Sequence, residues 1–220
     1  MYRPDEESFA PASPSPSSGC GVSGPLESIP DIALSSRSAR DAFLVARDAH
    51  GGPGHGDTQL SHPLAVAELL SARGFDETTV SAALLHDTVE DTALGIEQIE
   101  GHFGVEIAGL VARLTEDLRI KEYPARKAEA RARAIRDRRA AAIYAADKLA
   151  NTRRLLDDGE CIDGERLDHY VKTLRLFSEQ MPELPFLPEL SVELTRLIDR
   201  DAGRIGDSAC RTATPTYPRS

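Results

Sequence analysis

The chain has 220 residues, 40% of them apolar, with no Trp and a formal charge of −10 from 36 acidic against 26 basic side chains. That length holds one domain of ordinary size, whose core must be built of Leu, Ala, Val and Ile, an alphabet that favours helices. The acidic balance argues against nucleic acid as a partner.

Residues 1–36 hold six of the 14 prolines and nine serines with almost no hydrophobic periodicity, and read as a disordered tail. No apolar stretch follows the N-terminus, and no run has the length of a membrane span. Ala42, Leu44, Val45 and Ala49 predict a first helix that ends at His50-Gly51-Gly52. Residues 51–60 carry four glycines and a proline and read as a loop. Ser61 is placed to cap a helix bearing Leu64, Val66, Leu69 and Leu70, which stops at Gly74. Asp76 caps the next helix, with Val80, Ala83 and Leu84 facing inward. Two short helices follow over 96–103 and 105–115, then one charged helix from about Tyr123 to Leu156, and two more over 165–181 and 189–200. The residues after 203 resemble the N-terminal tail. The reading is an all-α fold occupying residues 37–203, between tails at 1–36 and 204–220. Three widely spaced cysteines (Cys20, Cys161, Cys210) suggest neither a disulfide framework nor a zinc knuckle, and fit a reducing cytoplasm.

The segment richest in chemistry is Ser81–Thr92. An apolar helix runs into His86 and Asp87, and one turn later come Glu90 and Asp91. At 3.6 residues per turn Glu90 shares a stripe with His86, and Asp91 with Asp87. Such a polar edge on a buried helix is costly without a cation, although alone it also fits a helix end with solvated acids. Two further donors sit at comparable places. His62 opens a helix just before Pro63, where a helix-end hydrogen bond is the plainer role. Asp147 lies among apolar residues in Ala-Ala-Asp-Lys-Leu-Ala-Asn, where a salt bridge with a neighbouring Arg serves equally well. Two imidazoles and two carboxylates form an N/O set suited to Mn, Fe or Zn.

The order His62, His86-Asp87, Asp147 resembles the HD-domain phosphohydrolases, and more narrowly the guanosine tetraphosphate (ppGpp) hydrolase domain of the RelA/SpoT type in its stand-alone form. The matching stretches are His-Pro-Leu-Ala-Val-Ala at 62–67, Ala-Ala-Leu-Leu-His-Asp-Thr-Val-Glu-Asp-Thr at 82–92, Phe103-Gly104 with Leu110-Val111, and Ala146-Asp147-Lys148-Leu149 with Asn151 and Arg153. They span about residues 38–180. The resemblance implies a helical bundle and a divalent metal, Mn²⁺ or else Fe²⁺ or Zn²⁺, held by His62, His86, Asp87 and Asp147. Glu90 and Asp91 would position the attacking water and carry its protons, and Asn151 would touch the nucleotide. Lys121 and Arg126 have the spacing of a phosphate-holding pair, with a charged helix face as the other reading, and Tyr170 falls where the family keeps an aromatic residue near sugar or base.

One stretch departs from the pattern. The family places an Arg-Lys type pair before the His-Pro helix, whereas this chain has no cation across residues 51–59. Without an Arg plane, base stacking and phosphate binding both weaken, and His55 is the available substitute. The preferred expectation is therefore phosphate release from a nucleoside monophosphate, including a modified purine one. The alternatives are 3′-pyrophosphate removal from ppGpp and a non-catalytic nucleotide sensor. The oligomeric state stays open.

Overall fold

In a computed structural model, residues 29–52 and 54–203 are described; the tail assignments for residues 1–28 and 204–220 lie outside them. The described chain is helical with no strand. In order come α1 (Arg37–Ala49), α2 (His55–Gln59), α3 (Ser61–Ser71), α4 (Glu77–Leu85), α5 (Thr88–Asp91), α6 (Ile96–Leu114), α7 (Tyr123–Ala134), α8 (Arg138–Asp157), α9 (Gly164–Gln180) and α10 (Leu187–Ala202).

The helix at the centre is α8, which packs on α3, α4, α6, α7, α9 and α10. Its sequence explains this position. Every residue from Ala140 to Ala150 is buried, and six of these eleven are alanines. A helix covered all round must lie inside the fold, and alanine lets neighbouring helices approach closely without loss of helix propensity. Around it, α1 and α3 pack against α4, whose residues Thr79 to Leu85 are all buried. Thus α3, α4 and α8 form the wall that carries His62, His86 and Asp147.

Several details depart from the sequence expectations. Ordered structure begins before residue 37: a 3₁₀ turn over Asp31–Leu34 buries Ile32 and Ala33. Residues 51–60 are not all loop, because α2 forms there. Gly56 makes α2 possible, since a Cβ at that position would meet the Arg47 carbonyl oxygen at 2.3 Å. Leu60, not Ser61, is the N-cap of α3. The single helix expected over 123–156 is two. Asp137 ends the run by accepting from the Arg139 and Ala140 backbone N–H groups at 2.9 and 3.4 Å, which caps the start of α8. The two helices expected over 96–103 and 105–115 form as expected, as the two halves of α6 on either side of Gly104, whose φ of 82° is left-handed. Asp76 caps α4 as expected, accepting from Thr79 N–H at 2.8 Å. Cys161 is disulfide-bonded, which the reading of the cysteines had not foreseen. No helix among the described residues is long and apolar enough to cross a membrane.

Asp137→Ala should therefore cost about 1 kcal/mol of stability through loss of the α8 cap, read as a lower urea midpoint at unchanged slope. An unchanged midpoint would mean that the α7–α8 break is held by packing alone.

Candidate metal centre

Three ligand atoms, one each from His62, His86 and Asp87, lie within 4.8 Å of one another. His62 comes from the first turn of α3, His86 is the C-cap of α4, and Asp87 is the N-cap of α5. The rings of His62 and His86 are 5.6 Å apart between centroids.

The protonation of His86 follows from its contacts. Its Nδ1 lies 2.7 Å from the Ala83 carbonyl oxygen, which can only accept, so Nδ1 carries the hydrogen. In the neutral ring Nε2 then offers a lone pair. That atom is buried, makes no hydrogen bond, and faces Asp87 Oδ1 at 3.0 Å. Two acceptors held this close in a buried place are unfavourable alone and suit a shared cation. The donor set thus fits a divalent metal on the molecule's own geometry.

Asp147 reaches the same place from α8. Its Oδ1 lies 2.9 Å from His62 Nε2 and accepts from Asn151 Nδ2 at 2.6 Å, while Oδ2 is paired with Lys148. Burial alone would raise the Asp147 carboxyl, but Lys148 and His62 hold it well below the usual range. Burial likewise works to lower the His62 pKa, and Asp147 outweighs it, so the net direction is upward. Lys148 is buried, with its Nζ 4.6 Å from the Tyr144 ring centroid and 5.5 Å from that of Tyr170. Asn151 Oδ1 accepts from Arg166 at 3.3 Å, and Arg166 Nε donates to Tyr170 Oη at 3.1 Å. Asp147, Asn151, Arg166, Tyr170 and Lys148 therefore close a ring of contacts between α8 and α9.

The two carboxylates of α5 flank the centre. Glu90 accepts from the Glu116 backbone N–H at 2.7 Å. Burial of its carboxyl, and then the Glu116 carboxylate, push it up to about 7. The residue as a whole remains exposed, so solvent screens part of that penalty. Asp91 is raised by burial and by Asp87, against the opposing influence of His50, His86 and His62.

Of the expected substrate residues, Asn151 alone is tied to the centre directly. Arg126 is spent on its own loop, with Nε on Glu116 at 2.6 Å and Nη1 on the Ile120 and Lys121 carbonyls. Lys121 is exposed and donates to the Leu118 carbonyl at 3.1 Å. Tyr170 is only 2% exposed and braces Lys148 and Arg166. His55 is exposed at the start of α2, over Gly51.

Several residues near the centre escaped the sequence reading. Lys127, which pairs with Glu116 and acts on Glu90, follows Arg126 directly and was hidden in the charged helix face. His50, read only as a helix end, has a buried Nε2 with no hydrogen bond and acts on Asp91. Lys148 carried a visible signal: a lysine beside Asp147 in an alanine-rich helix must be paired.

Residues 42–177 match the HD domain family. The chain is 41% identical over 120 residues to a probable GTP pyrophosphokinase of Mycobacterium leprae, covering 52% of this chain and 15% of that one. It is 35% identical over 124 residues to the guanosine-3′,5′-bis(diphosphate) 3′-pyrophosphohydrolase of Vibrio cholerae, covering 53% and 18%. The chain thus spans less than a fifth of these curated relatives. Among solved structures, a metazoan ortholog of SpoT that hydrolyses ppGpp aligns with a TM-score of 0.58 at 27% identity, over 76% of this chain and 96% of that one. The Listeria monocytogenes protein lmo0812 aligns with a TM-score of 0.57 at 29% identity, over 63% and 99%.

Two outcomes follow from the geometry. Mn²⁺ at 100 times its dissociation constant should stabilise the protein by about 2.7 kcal/mol. Asp87→Ala should abolish that thermal shift, and a retained shift would place the ion elsewhere. In metal-free protein, a raised Glu90 pKa means full stability below the ordinary carboxyl range and loss as pH rises through about 7. Glu90→Gln should accordingly lose less Tm than the parent between pH 5 and pH 8.

Proposed function

Because the chain belongs to the HD domain family, we propose that it is a metal-dependent phosphohydrolase that removes the 3′-pyrophosphate of guanosine tetraphosphate. The observation that carries the reaction class is the buried, unbonded Nε2 of His86, converging with His62, Asp87 and Asp147 beside two carboxylates. The similarity to the Vibrio cholerae pyrophosphohydrolase and to the metazoan ppGpp hydrolase supports the choice of substrate. It outweighs the preference for a nucleoside monophosphate that the cation-free stretch at 51–59 had suggested.

His62, His86, Asp87 and Asp147 would hold the ion, with Mn²⁺ first among candidates for this N/O donor set. A divalent ion supplies hydroxide at neutral pH by lowering the pKa of bound water from 15.7 to about 7. Glu90, whose carboxyl is pushed up to about 7 in the metal-free protein by burial and by Glu116, would take a proton from water and return one to a leaving oxygen. Asp91 lies on the same turn and shares this work. Asp147 orients His62 through the 2.9 Å contact, and Lys148 fixes the other carboxylate oxygen. Asn151, bonded to Asp147 through Nδ2 and to Arg166 through Oδ1, stands where it can meet the ribose or the scissile phosphate.

With Mn²⁺ and ppGpp, pyrophosphate should be released; Asp87→Ala should abolish release, and Glu90→Gln should lower it about 10²–10⁴-fold while keeping the metal. Orthophosphate from a monophosphate, with ppGpp left intact, would return the reading to a nucleoside monophosphatase. Metal binding with no turnover of either would point to a sensor.

A further inference from the structure

The corner between α6 and α7 meets the proposed proton-transfer group through its backbone. Thr115, the C-cap of α6, is extended, so the helix ends there. The next N–H, that of Glu116, donates to Glu90 Oε1 at 2.7 Å, across to α5. Glu90 Oε2 has no hydrogen-bond partner among the described residues. Three cations of α7 hold this corner. Arg133 donates to the Ala112 and Thr115 carbonyl oxygens at 3.3 and 2.5 Å, closing the last turn of α6. Arg126 Nη1 takes the Ile120 and Lys121 carbonyls at 3.1 and 3.3 Å, and its Nε donates to Glu116 Oε2 at 2.6 Å. Lys127 donates to Oε1 of the same carboxylate. Both cations also flank Tyr123, with Arg126 Cζ 5.6 Å and Lys127 Nζ 5.3 Å from its ring centroid.

This arrangement resolves an electrostatic conflict. Glu116 attracts Glu90 through its N–H and repels it through its own carboxylate. Burial alone would raise the Glu116 carboxyl, but Lys127 and Arg126 bring it below its ordinary value, so the charge is kept and drawn onto α7. Lys127 is the costly member. Its side chain is only 14% exposed, and burial and Lys148 lower its pKa against the pull of Glu116 and Glu90. Arg126 and Arg133 already fasten the loop to α7. A further ammonium, largely buried, adds a desolvation cost that a loop anchor alone does not require.

We propose that Glu116 and Lys127 are positioning residues for Glu90. Lys127, with Arg126, draws the Glu116 carboxylate onto α7, which fixes the Glu116 N–H on Glu90 Oε1 and leaves Oε2 for the water at the metal centre. The inference rests on the reading of the reaction given above. Glu116 and Lys127 act on the rate through Glu90 and not through the nucleotide.

The test combines steady-state kinetics of the full chain with Mn²⁺ and ppGpp and the NMR shift of the Glu116 amide proton in metal-free protein. Lys127→Met and Glu116→Ala should each lower kcat by about 10²-fold, the cost of a misplaced reacting group, with KM and the Mn²⁺ thermal shift unchanged. Lys127→Arg, which keeps the charge, should recover most of the rate. In a Glu90→Gln background Lys127→Met should cost nothing further, whereas a structural role would lower the rate equally in both backgrounds. The amide proton, held downfield by its carboxylate acceptor, should move upfield in Lys127→Met and stay in Lys127→Arg. Where Lys127→Met loses the cooperative fold, Glu116→Ala, whose N–H remains, decides in its place. Additive losses, losses shared by KM and the thermal shift, or an amide proton that the substitutions leave in place overturn the positioning role. An inactive parent whose amide proton follows the substitutions as expected supports the positioning and sinks the proposed reaction.

Discussion

The arrangement of the site depends on one buried ion pair, Asp147 with Lys148, in the middle of α8. Removing two charges from water into a helix covered on every side is expensive, and it is tolerable only when each charge is fully engaged. Here each is. Asp147 meets His62, Asn151 and Lys148, while Lys148 lies over the rings of Tyr144 and Tyr170. The pair constrains the carboxylate: with Oδ2 taken by Lys148, Oδ1 is the oxygen turned to His62. If Asp147 holds an ion as proposed, a cation beside it weakens its pull, so the lysine exchanges some metal affinity for a carboxylate of fixed orientation.

That constraint spreads through the packing. Asn151 and Arg166 carry it to α9, and Tyr170 returns it to Lys148. His169, next to Tyr170, is kept neutral by burial and by the surrounding cations, of which Arg131 is 2.5 Å from its Nδ1. A second protonated imidazole there would oppose Lys148. The polar interior between α8 and α9 is thus one connected system whose outward face is Asp147 Oδ1. Connected polar networks rigidify a core when every member is satisfied. The alanines of α8 leave room for it by letting the helices approach closely.

The fold class was legible because helical periodicity, caps and breakers all pointed one way. Asp76 capping α4 and the break at Gly104 are local signals that tertiary structure did not override. The single helix drawn through 123–156 failed because its charged alanine-rich sequence has high propensity on both sides of Asp137, and only a capping side chain separates them. The α2 helix was missed because its glycines signal a loop, while Gly56 is there so that the helix can lie against the Arg47 backbone. For the site, His62, His86, Asp87 and Asp147 were readable as donors of matched chemistry at helix ends or in apolar surroundings. The substrate residues were harder, since spacing cannot tell whether a cation is already engaged. Arg126 kept the expected spacing but is tied to Glu116, and Lys127 one residue later acts on Glu90.

The same question of which charges are already engaged bears on the proposed recognition of a nucleotide. Around the centre, Arg126 and Lys127 share the single carboxylate of Glu116, and Lys148 pairs with Asp147. Arg153 is taken by Glu189, and Arg154 by Asp158 and Glu160. In a chain of net charge −10, these side chains offer little uncommitted positive charge to a polyphosphate. Long-range attraction of a polyanion is correspondingly weak. Discrimination must then come from short-range contacts, in which direction and donor–acceptor order count for more than net charge.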